Sequence, residues 1–179
     1  DISECIERLL MYTPKDTEII LIDDASTDSR IWPVLQKAKK ENNSRKILIL
    51  QNRENRGYTA TINTGISNAG ANDIILLNSD ARVGPRWVTS LLRAAYSSNQ
   101  MASATAMSDR AGAFSAPYIG NDNYLPAGIS EESFIRSFRR ESSRLYPIVP
   151  TGNGFCMYIK RACLDDIGFF DEEAFPQGY

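Results

Sequence analysis

The most constraining feature of this sequence is a regular alternation between short apolar runs and longer stretches with helical spacing. Three continuous runs of mostly branched apolar residues, at 18–22, 46–50 and 73–77, are each followed by a polar loop and a helical pattern. Short continuous runs of this kind are typical of strands that are buried on both faces. Successive strand–loop–helix units need crossover connections, which produce a parallel sheet with helices on both faces. The sequence therefore predicts an α/β fold.

The rest of the chain adds elements of the same kinds. The predicted helices cover about the first dozen residues and residues 29–41, 58–69, 85–98 and 130–141. A fourth strand is expected at 101–107, and a fifth at 155–159 precedes a short helix and a turn at Gly168. Residues 108–150 are rich in Ser, Gly, Pro, Asn and Tyr. A long irregular insertion of this kind in a compact domain is usually functional or mobile.

Composition excludes several classes of function. The net charge is −2, without the basic surplus that a nucleic-acid partner would need. The apolar runs are far shorter than the roughly 20 residues of a membrane-spanning helix. The chain has no His, which excludes Ser-His and Cys-His triads and imidazole metal ligands. Cys5, Cys156 and Cys163 lack the spacing of a disulfide framework or a zinc site, so we expect buried or neutral thiols in a reducing compartment.

Polar residues follow each of the three predicted parallel strands. In an open parallel sheet, ligands bind beyond the carboxyl ends of the strands, so the fold is expected to bring these loops onto one rim. The residues on the loops and on the helix after the second loop are Asp23, Asp24, Ser26, Asn55, Arg56, Gly57, Asn63, Asn78, Ser79 and Asp80. Each loop also has a structural interpretation. The acidic pair is suited to capping the next helix, and the other two loops are suited to ordinary turns.

The chemistry available on such a rim fits a nucleoside diphosphate. Asp80 beside a short polar residue suits Mg²⁺ or Mn²⁺, because such cations take one or two carboxylates together with phosphate oxygens. Arg56 and the helix that begins after Gly57 offer positive charge to phosphate. Carboxylates such as Asp23 and Asp24 accept hydrogen bonds from the imide and ribose groups of a nucleoside.

Five ordered motifs carry a family resemblance. They are "EIILIDDASTD", "NRENRGYTATINTGISNA", "DIILLNSDARVGPRWV", "TGNGFCMYIKR" and "IGFFDEEAFPQGY". Together they resemble the inverting family 2 glycosyltransferases with the GT-A fold, a Rossmann-like α/β architecture. Within that family the chain is most similar to the bacterial rhamnosyltransferase-like group that builds surface polysaccharides. The resemblance covers nearly the whole chain.

The resemblance implies a role for each loop. It places Asp24, supported by Asp23 and Ser26, at the base and ribose of the donor. It places the Asp-any-Asp metal motif of the family at Asn78, Ser79 and Asp80, where an Asn replaces the first Asp. Asp80 is then the main protein ligand of Mg²⁺ or Mn²⁺. The residues that line the rest of the donor are Asn55, Gly57 and Asn63, with Arg56 beside them.

Two departures from the family pattern concern the ends of the chain. The chain begins after the family's first strand and ends before its usual general base, so the resemblance implies a single GT-A domain, 1–179, truncated at both ends. Residues 1–107 correspond to the nucleotide-sugar-binding half and 108–179 to the acceptor-side half. The base is expected after Tyr179. Asp171 and Glu172 are the weak candidates for the base near the end of the chain, and a helix-start or surface pair is the alternative for both.

The implied function is transfer of a sugar, with inversion, from a UDP-, dTDP- or GDP-sugar to a saccharide or lipid-linked acceptor. The resemblance also implies a cytoplasmic protein that associates with the inner face of the membrane through regions outside this chain. One alternative is a module that binds a nucleotide sugar without catalysis. Another is a phosphoacceptor receiver domain, which needs a Lys that the chain lacks between Lys46 and Lys160.

Overall fold

The computed structural model describes residues 1–178 and confirms the α/β order of elements. The strands are β1 (Ile19–Asp23), β2 (Ile47–Gln51), β3 (Ile74–Leu77), β4 (Ser103–Thr105) and β5 (Cys156–Ile159). The helices are α1 (Ile2–Tyr12), α2 (Ile31–Glu41), α3 (Tyr58–Asn68), α4 (Trp87–Ala95), α5 (Glu131–Glu141) and α6 (Arg161–Ile167), with a 3-10 turn at Gly112–Phe114.

The chain packs as two compact units that interleave along the sequence. The β1–β2 unit contains Pro14–Ile74 and the segment that begins at Lys160, together with Ile2. The β4–β5 unit contains Ser3–Thr13 and Ile75–Ile159, together with Asp1. The division into donor-side and acceptor-side halves concerns function and stays a prediction.

In the β1–β2 unit, two parallel strands carry the first two predicted loops at their carboxyl ends. Ile19 lies opposite Ile47, and the register continues to Asp23 opposite Gln51. The strand starts are buried, but the middle residues of both strands are only partly buried. The prediction that these strands are fully buried is therefore wrong for their centres. Within the described residues, each of the two strands has only the other as a hydrogen-bonded neighbour.

In the β4–β5 unit, β5 lies between β3 and β4. β4 and β5 are antiparallel, with Ser103 opposite Ile159. The core of this sheet forms where α4 packs on it, and its buried members are Leu91, Ala95, Cys156 and Tyr158. Burial of such side chains contributes about 1.5–3 kcal/mol for each large apolar residue.

Helix α5 is the main ordered element of the irregular insertion 108–150, and ion pairs hold it to its own unit. Glu131 accepts from Arg8 at 2.6 Å and pairs with Arg82 at 2.7 Å. The hydroxyl of Tyr12 donates to Glu132 at 2.9 Å. These contacts join the predicted acceptor-side segment to α1 and to the loop after β3.

Two predicted boundaries are wrong by a few residues. Helix α4 begins at Trp87 and not at Pro85, because Arg86 before it has a left-handed backbone with φ 63° that cannot continue into a helix. Strand β4 is limited to Ser103–Thr105, shorter than the expected 101–107. No helix within residues 1–178 has both the length and the apolarity needed to cross a bilayer.

Candidate donor and metal sites

The first candidate residue, Asp23, ends β1 and is 3% exposed. Its carboxylate accepts hydrogen bonds from Ser26 N and from Gln51 Nε2, both at 2.9 Å. Burial alone raises the pKa of Asp23, but the hydrogen bonds from Ser26 and Gln51 outweigh it, so the pKa lies below its ordinary value. The ionised carboxylate therefore fixes the turn after β1 and ties the end of β1 to the end of β2.

Asp24 joins this turn to the second loop. Its Oδ1 accepts from Asn52 Nδ2 at 2.7 Å and from Arg56 N at 2.9 Å. Its Oδ2 accepts from Gly57 N at 2.9 Å, and its backbone carbonyl accepts from Asn55 Nδ2 at 3.2 Å. The sequence-predicted residues Asp24, Asn55, Arg56 and Gly57 thus form one cluster, which we call the Asp24 cluster together with Asn52.

The same hydrogen bonds set the charge of Asp24. Burial raises the pKa of this carboxyl, but the hydrogen bonds from Asn52, Arg56, Thr61 and Gly57 together lower it below its ordinary value. Asp24 is therefore ionised at neutral pH. A half-buried negative charge stands where the two parallel strands end, as the sequence predicted.

The alternative that the acidic pair caps the next helix is wrong. Helix α2 begins after Arg30, and no side chain caps it by a hydrogen bond. Asp28 is the acid nearest that helix. Its hydrogen bonds with the side chain and backbone of Arg30 lower its pKa to about 2. Asp24 instead binds the backbone that leads into α3.

The second loop ends at Gly57, where the backbone conformation requires a glycine. Gly57 precedes α3 with φ 82°, and a Cβ there would lie 3.0 Å from the carbonyl oxygen of Pro176. Beside it, the Arg56 guanidinium is about half exposed, 3.5 Å from Glu172 Oε2. The start of α3 therefore presents a cation to solvent, while the backbone N–H groups of Arg56 and Gly57 are bound to Asp24.

Asn63 lies further along α3 and is buried. Its amide nitrogen donates to the Phe170 carbonyl at 2.8 Å and to Glu172 Oε1 at 2.9 Å, and its oxygen accepts from Phe170 N at 3.1 Å. Thr59 donates to the Phe175 carbonyl through its hydroxyl. These contacts hold residues 170–178, which we call the C-terminal strap, along α3.

The strap contains Asp171 and Glu172, the two carboxylates considered as candidate bases, and both make hydrogen bonds there. Asp171 Oδ1 accepts from the backbone N–H groups of Glu173 and Ala174, so it caps a local turn. Glu172 is held by Asn63 and faces Arg56. The position expected for the base, after Tyr179, lies outside the described residues.

The third loop belongs to the β4–β5 unit and carries the predicted metal ligand. Asn78 N donates to the Phe155 carbonyl at 2.8 Å, which fixes the start of the loop. Ser79 and Asp80 are exposed, and the Asp80 carboxylate makes no hydrogen bond or ion pair within residues 1–178. Burial raises the pKa of Cys5 to about 11, and the negative charge of Asp80 contributes to that rise.

The residues of this loop fit a cation that is shared with phosphate. Among residues 1–178, no group of three or more His, Cys, Asp or Glu side chains could hold a metal by itself. Mg²⁺ and similar hard cations do not need such a cage, because they are usually bound by one or two carboxylates, waters and substrate phosphates. An exposed carboxylate without a protein partner is suited to that arrangement.

Two residues of these sites were not predicted from the sequence, and the role of a third, Thr59, was not predicted either. Asn52 and Gln51 bind the acidic pair, and Thr59 holds the strap. The available signal was the parallel register, since polar residues that end neighbouring parallel strands lie side by side. The partner of Thr59 lies 116 residues away, and no spacing pattern indicates it.

Comparisons with known proteins agree with this architecture. The family model described as glycosyl transferase family 2 matches residues 1–168. Glycosyltransferase GlyA of Streptococcus pneumoniae serotype 4 is 30% identical over 90 residues, which is 50% of this chain and 12% of GlyA. An uncharacterized glycosyltransferase of Rickettsia felis is 39% identical over 77 residues, 43% of this chain and 12% of that protein. The matched stretch is thus only about an eighth of each relative's length.

One solved structure is the mannosyltransferase PcManGT from Pyrobaculum calidifontis in complex with GDP-Man and Mn²⁺. It matches 96% of this chain and 44% of its own, with a TM-score of 0.63 and 17% sequence identity. At that identity the likeness shows the fold, and it confirms the α/β, GT-A-like architecture. The family model spans nearly the whole sequence, and the chain therefore belongs to glycosyl transferase family 2.

Proposed function

We propose that this chain binds a nucleotide-sugar donor and forms the donor-binding part of a glycosyltransferase. The observation that carries the proposal is the Asp24 cluster, an ionised carboxylate and polar loop at the carboxyl ends of two parallel strands. Ligands of open α/β sheets bind at such ends. Membership in family 2 supports transfer of the sugar as the reaction.

The nucleoside is assigned to the Asp24 cluster. The ionised Asp24 accepts hydrogen bonds from ribose hydroxyls or from an imide N–H of the base. Asp23 and Ser26 shape the turn that presents it. Asn55 is bound to the Asp24 carbonyl through one amide hydrogen, which leaves its amide oxygen to accept from the ligand.

The diphosphate is assigned to Arg56 in the β1–β2 unit, and the cation that accompanies such a donor is assigned to Asp80 in the β4–β5 unit. The half-exposed guanidinium offers a fork of N–H donors that matches phosphate oxygens. Asp80 is the residue that would hold Mg²⁺ or Mn²⁺, with Asn78 and Ser79 beside it. When bound, such a cation neutralises charge on the leaving diphosphate. The complex of PcManGT with GDP-Man and Mn²⁺ supports the use of a divalent cation with a nucleotide-sugar donor, and it does not bear on which residues bind them.

The finer mechanism is an in-line displacement with inversion at the anomeric carbon. A carboxylate that follows Tyr179 in the sequence would deprotonate the acceptor hydroxyl. The acceptor, a saccharide or a lipid-linked sugar, is assigned to the insertion 108–150. Tyr118 and Tyr124 are 72% and 75% exposed there and offer ring faces to a sugar. A role in surface polysaccharide synthesis, rhamnosyl specificity and a cytoplasmic location at the membrane face stay predictions.

A second candidate is a module that binds a nucleotide sugar without transferring it, because Asp171 and Glu172, the two carboxylates considered as bases, are both held by hydrogen bonds. Hydrolysis or transfer of the donor sugar by the full-length protein would separate this candidate from the enzyme. Membership in family 2 argues against the receiver-domain alternative.

The donor assignment is tested by melting temperature. UDP-, dTDP- and GDP-sugars are titrated with Mn²⁺ against the wild type, Asp80→Ala and Asp122→Ala, which removes another exposed carboxylate of the β4–β5 unit. A donor at 100 times its Kd stabilises by about 2.7 kcal/mol, which raises Tm by roughly 5–10 °C. We expect that rise in the wild type and the control and a smaller one in Asp80→Ala. If no nucleotide sugar raises the Tm of the wild type, the proposal is wrong.

A further inference from the structure

We propose that Asn63 is a positioning residue for the donor site and not a ligand of the donor. Its buried amide fastens the C-terminal strap to α3 and, through Glu172, orients the guanidinium of Arg56. This inference rests on the proposed function, in which Arg56 binds the diphosphate.

The hydrogen bonds of Asn63 leave little capacity for a ligand. Both amide N–H groups are used, one by the Phe170 carbonyl and one by Glu172 Oε1. The amide oxygen accepts from Phe170 N. The orientation of the amide is fixed, because Phe170 offers one acceptor and one donor to it. With 7% of its surface exposed, Asn63 has no donor left for a nucleotide.

The contact with Glu172 links this buried amide to the surface. One oxygen of Glu172 is held by Asn63 at 2.9 Å, and the other lies 3.5 Å from Arg56 Nη2. The side chains of Arg56 and Glu172 are 46% and 43% exposed, so a ligand can reach the pair. The backbone N–H of Arg56 is bound to Asp24. Arg56 is therefore held at its backbone by Asp24, and its guanidinium contacts both Glu172 and Thr64 Oγ1, to which Nη1 donates at 3.4 Å.

An oriented guanidinium binds phosphate more tightly than a free one, because less side-chain entropy is lost on binding. If Glu172 is released, only the hydrogen bond to Thr64 still holds the guanidinium, so Arg56 regains part of its rotamer freedom and the affinity for a diphosphate falls. The far end of the strap keeps its own anchors, since Thr59 binds Phe175 and Pro176. Changes at Asn63 should therefore loosen residues 170–172 first.

The test compares four variants in the full chain. Asn63→Asp places carboxylate oxygens against the Phe170 carbonyl and Glu172. In Asn63→Asp/Glu172→Gln the new amide can donate to the new carboxylate, which restores the link. Glu172→Ala removes the link at an exposed position that folding tolerates. Asn68→Asp is the control, because Asn68 lies on the same helix, exposed, and bonds only the Thr64 carbonyl.

Two quantities are measured for each variant. Amide hydrogen exchange of residues 170–178 without nucleotide reports the fastening of the strap. Calorimetric titration with UDP, dTDP and GDP in Mn²⁺ reports donor-site affinity. We expect Asn63→Asp to speed exchange at Phe170 and to weaken nucleotide binding, each on the order of tenfold. That is the size expected when a hydrogen bond to a charged group, here Glu172, is lost. The double variant should recover part of both, because its carboxylate still faces the Phe170 carbonyl; Glu172→Ala should weaken binding several-fold, and the control should change neither.

Three outcomes would overturn the inference. Exchange could be fast in Asn63→Asp while affinity is unchanged, which would make the fastening irrelevant to the donor. The double variant could recover slow exchange but not affinity, which would make Asn63 a direct ligand. Glu172→Ala could bind nucleotide more tightly, which would make Glu172 a competitor of phosphate. A wild type that binds none of the nucleotides overturns the proposed function itself, and the exchange data, which need no nucleotide, distinguish that failure.

Discussion

Replacing Asp24 with Ala should destabilise the fold, because this one carboxylate holds the second loop in place. The substitution removes the acceptor for Asn52 Nδ2, Arg56 N and Gly57 N, at 2.7–2.9 Å. Hydrogen bonds to charged groups are worth about 1.5–3 kcal/mol each when buried. Water replaces part of this loss, because Arg56 is exposed and Asp24 itself is only half-buried. We expect a loss of about 3 kcal/mol in the free energy of unfolding, or about 6–12 °C in Tm.

Asp24→Asn should cost about half as much. Its oxygen can still accept from Asn52 and Arg56, but its NH₂ group would face the N–H of Gly57. Urea unfolding followed by circular dichroism gives both free energies. Asp16→Ala is the control, an exposed carboxylate of the same unit without a hydrogen bond or ion pair in the described chain. A free energy for Asp24→Ala within about 0.5 kcal/mol of this control, the usual range of surface changes, would refute the anchoring role.

Three further predictions follow from the same contacts. The pKa of Asp24 in the folded protein lies below its ordinary 3.8, so the stability that the ionised carboxylate contributes is complete above pH 3.8 and is lost as pH falls through the folded pKa. Urea unfolding from pH 6 to pH 2 should therefore show that the free energy of unfolding falls less steeply with acid in Asp24→Ala than in the wild type. Gly57→Ala should cost about 2 kcal/mol, since φ is 82° and its Cβ would meet Pro176, whereas Gly70→Ala, with positive φ and open space, should cost about 1; equal losses would contradict the close approach. At pH 8, iodoacetamide should label Cys163 first, because burial raises the pKa of the other two thiols to about 11 and about 12; simultaneous labelling, followed by mass spectrometry, would contradict this.

The elements that the sequence predicted most reliably are those that depend on local residue patterns. Each of β1, β2 and α3 lies within a residue or so of its predicted range, because short branched runs and helical spacing act over a few residues. The start of α4 was missed by two residues because the left-handed backbone of Arg86 has no marker in the sequence. Arg is an ordinary helix former, and only the tertiary context holds it at φ 63°.

The residue types of the candidate site could be predicted from the sequence, but the hydrogen bonds between those residues could not. An acidic pair at the end of a parallel strand indicated a ligand rim, and the same reasoning brought Asp24 and Gly57 into one cluster. That the partners of Asp24 are backbone N–H groups of the next loop could not be predicted, since every residue has such a group. The link from Asn63 to Phe170 spans 107 residues, and only the folded chain brings them together.

The most direct test of the central claim is anomalous diffraction from Mn²⁺ in crystals grown with UDP, dTDP or GDP. The account predicts a manganese peak within about 2.2 Å of an Asp80 carboxylate oxygen, close to the distances of small hard cations. It also predicts a nucleoside within hydrogen-bond distance of Asp24 or Asn55, and a phosphate oxygen bound by Arg56. A structure with ordered nucleotide and manganese in which no metal contacts Asp80 and the nucleoside contacts neither Asp24 nor Asn55 would contradict the account.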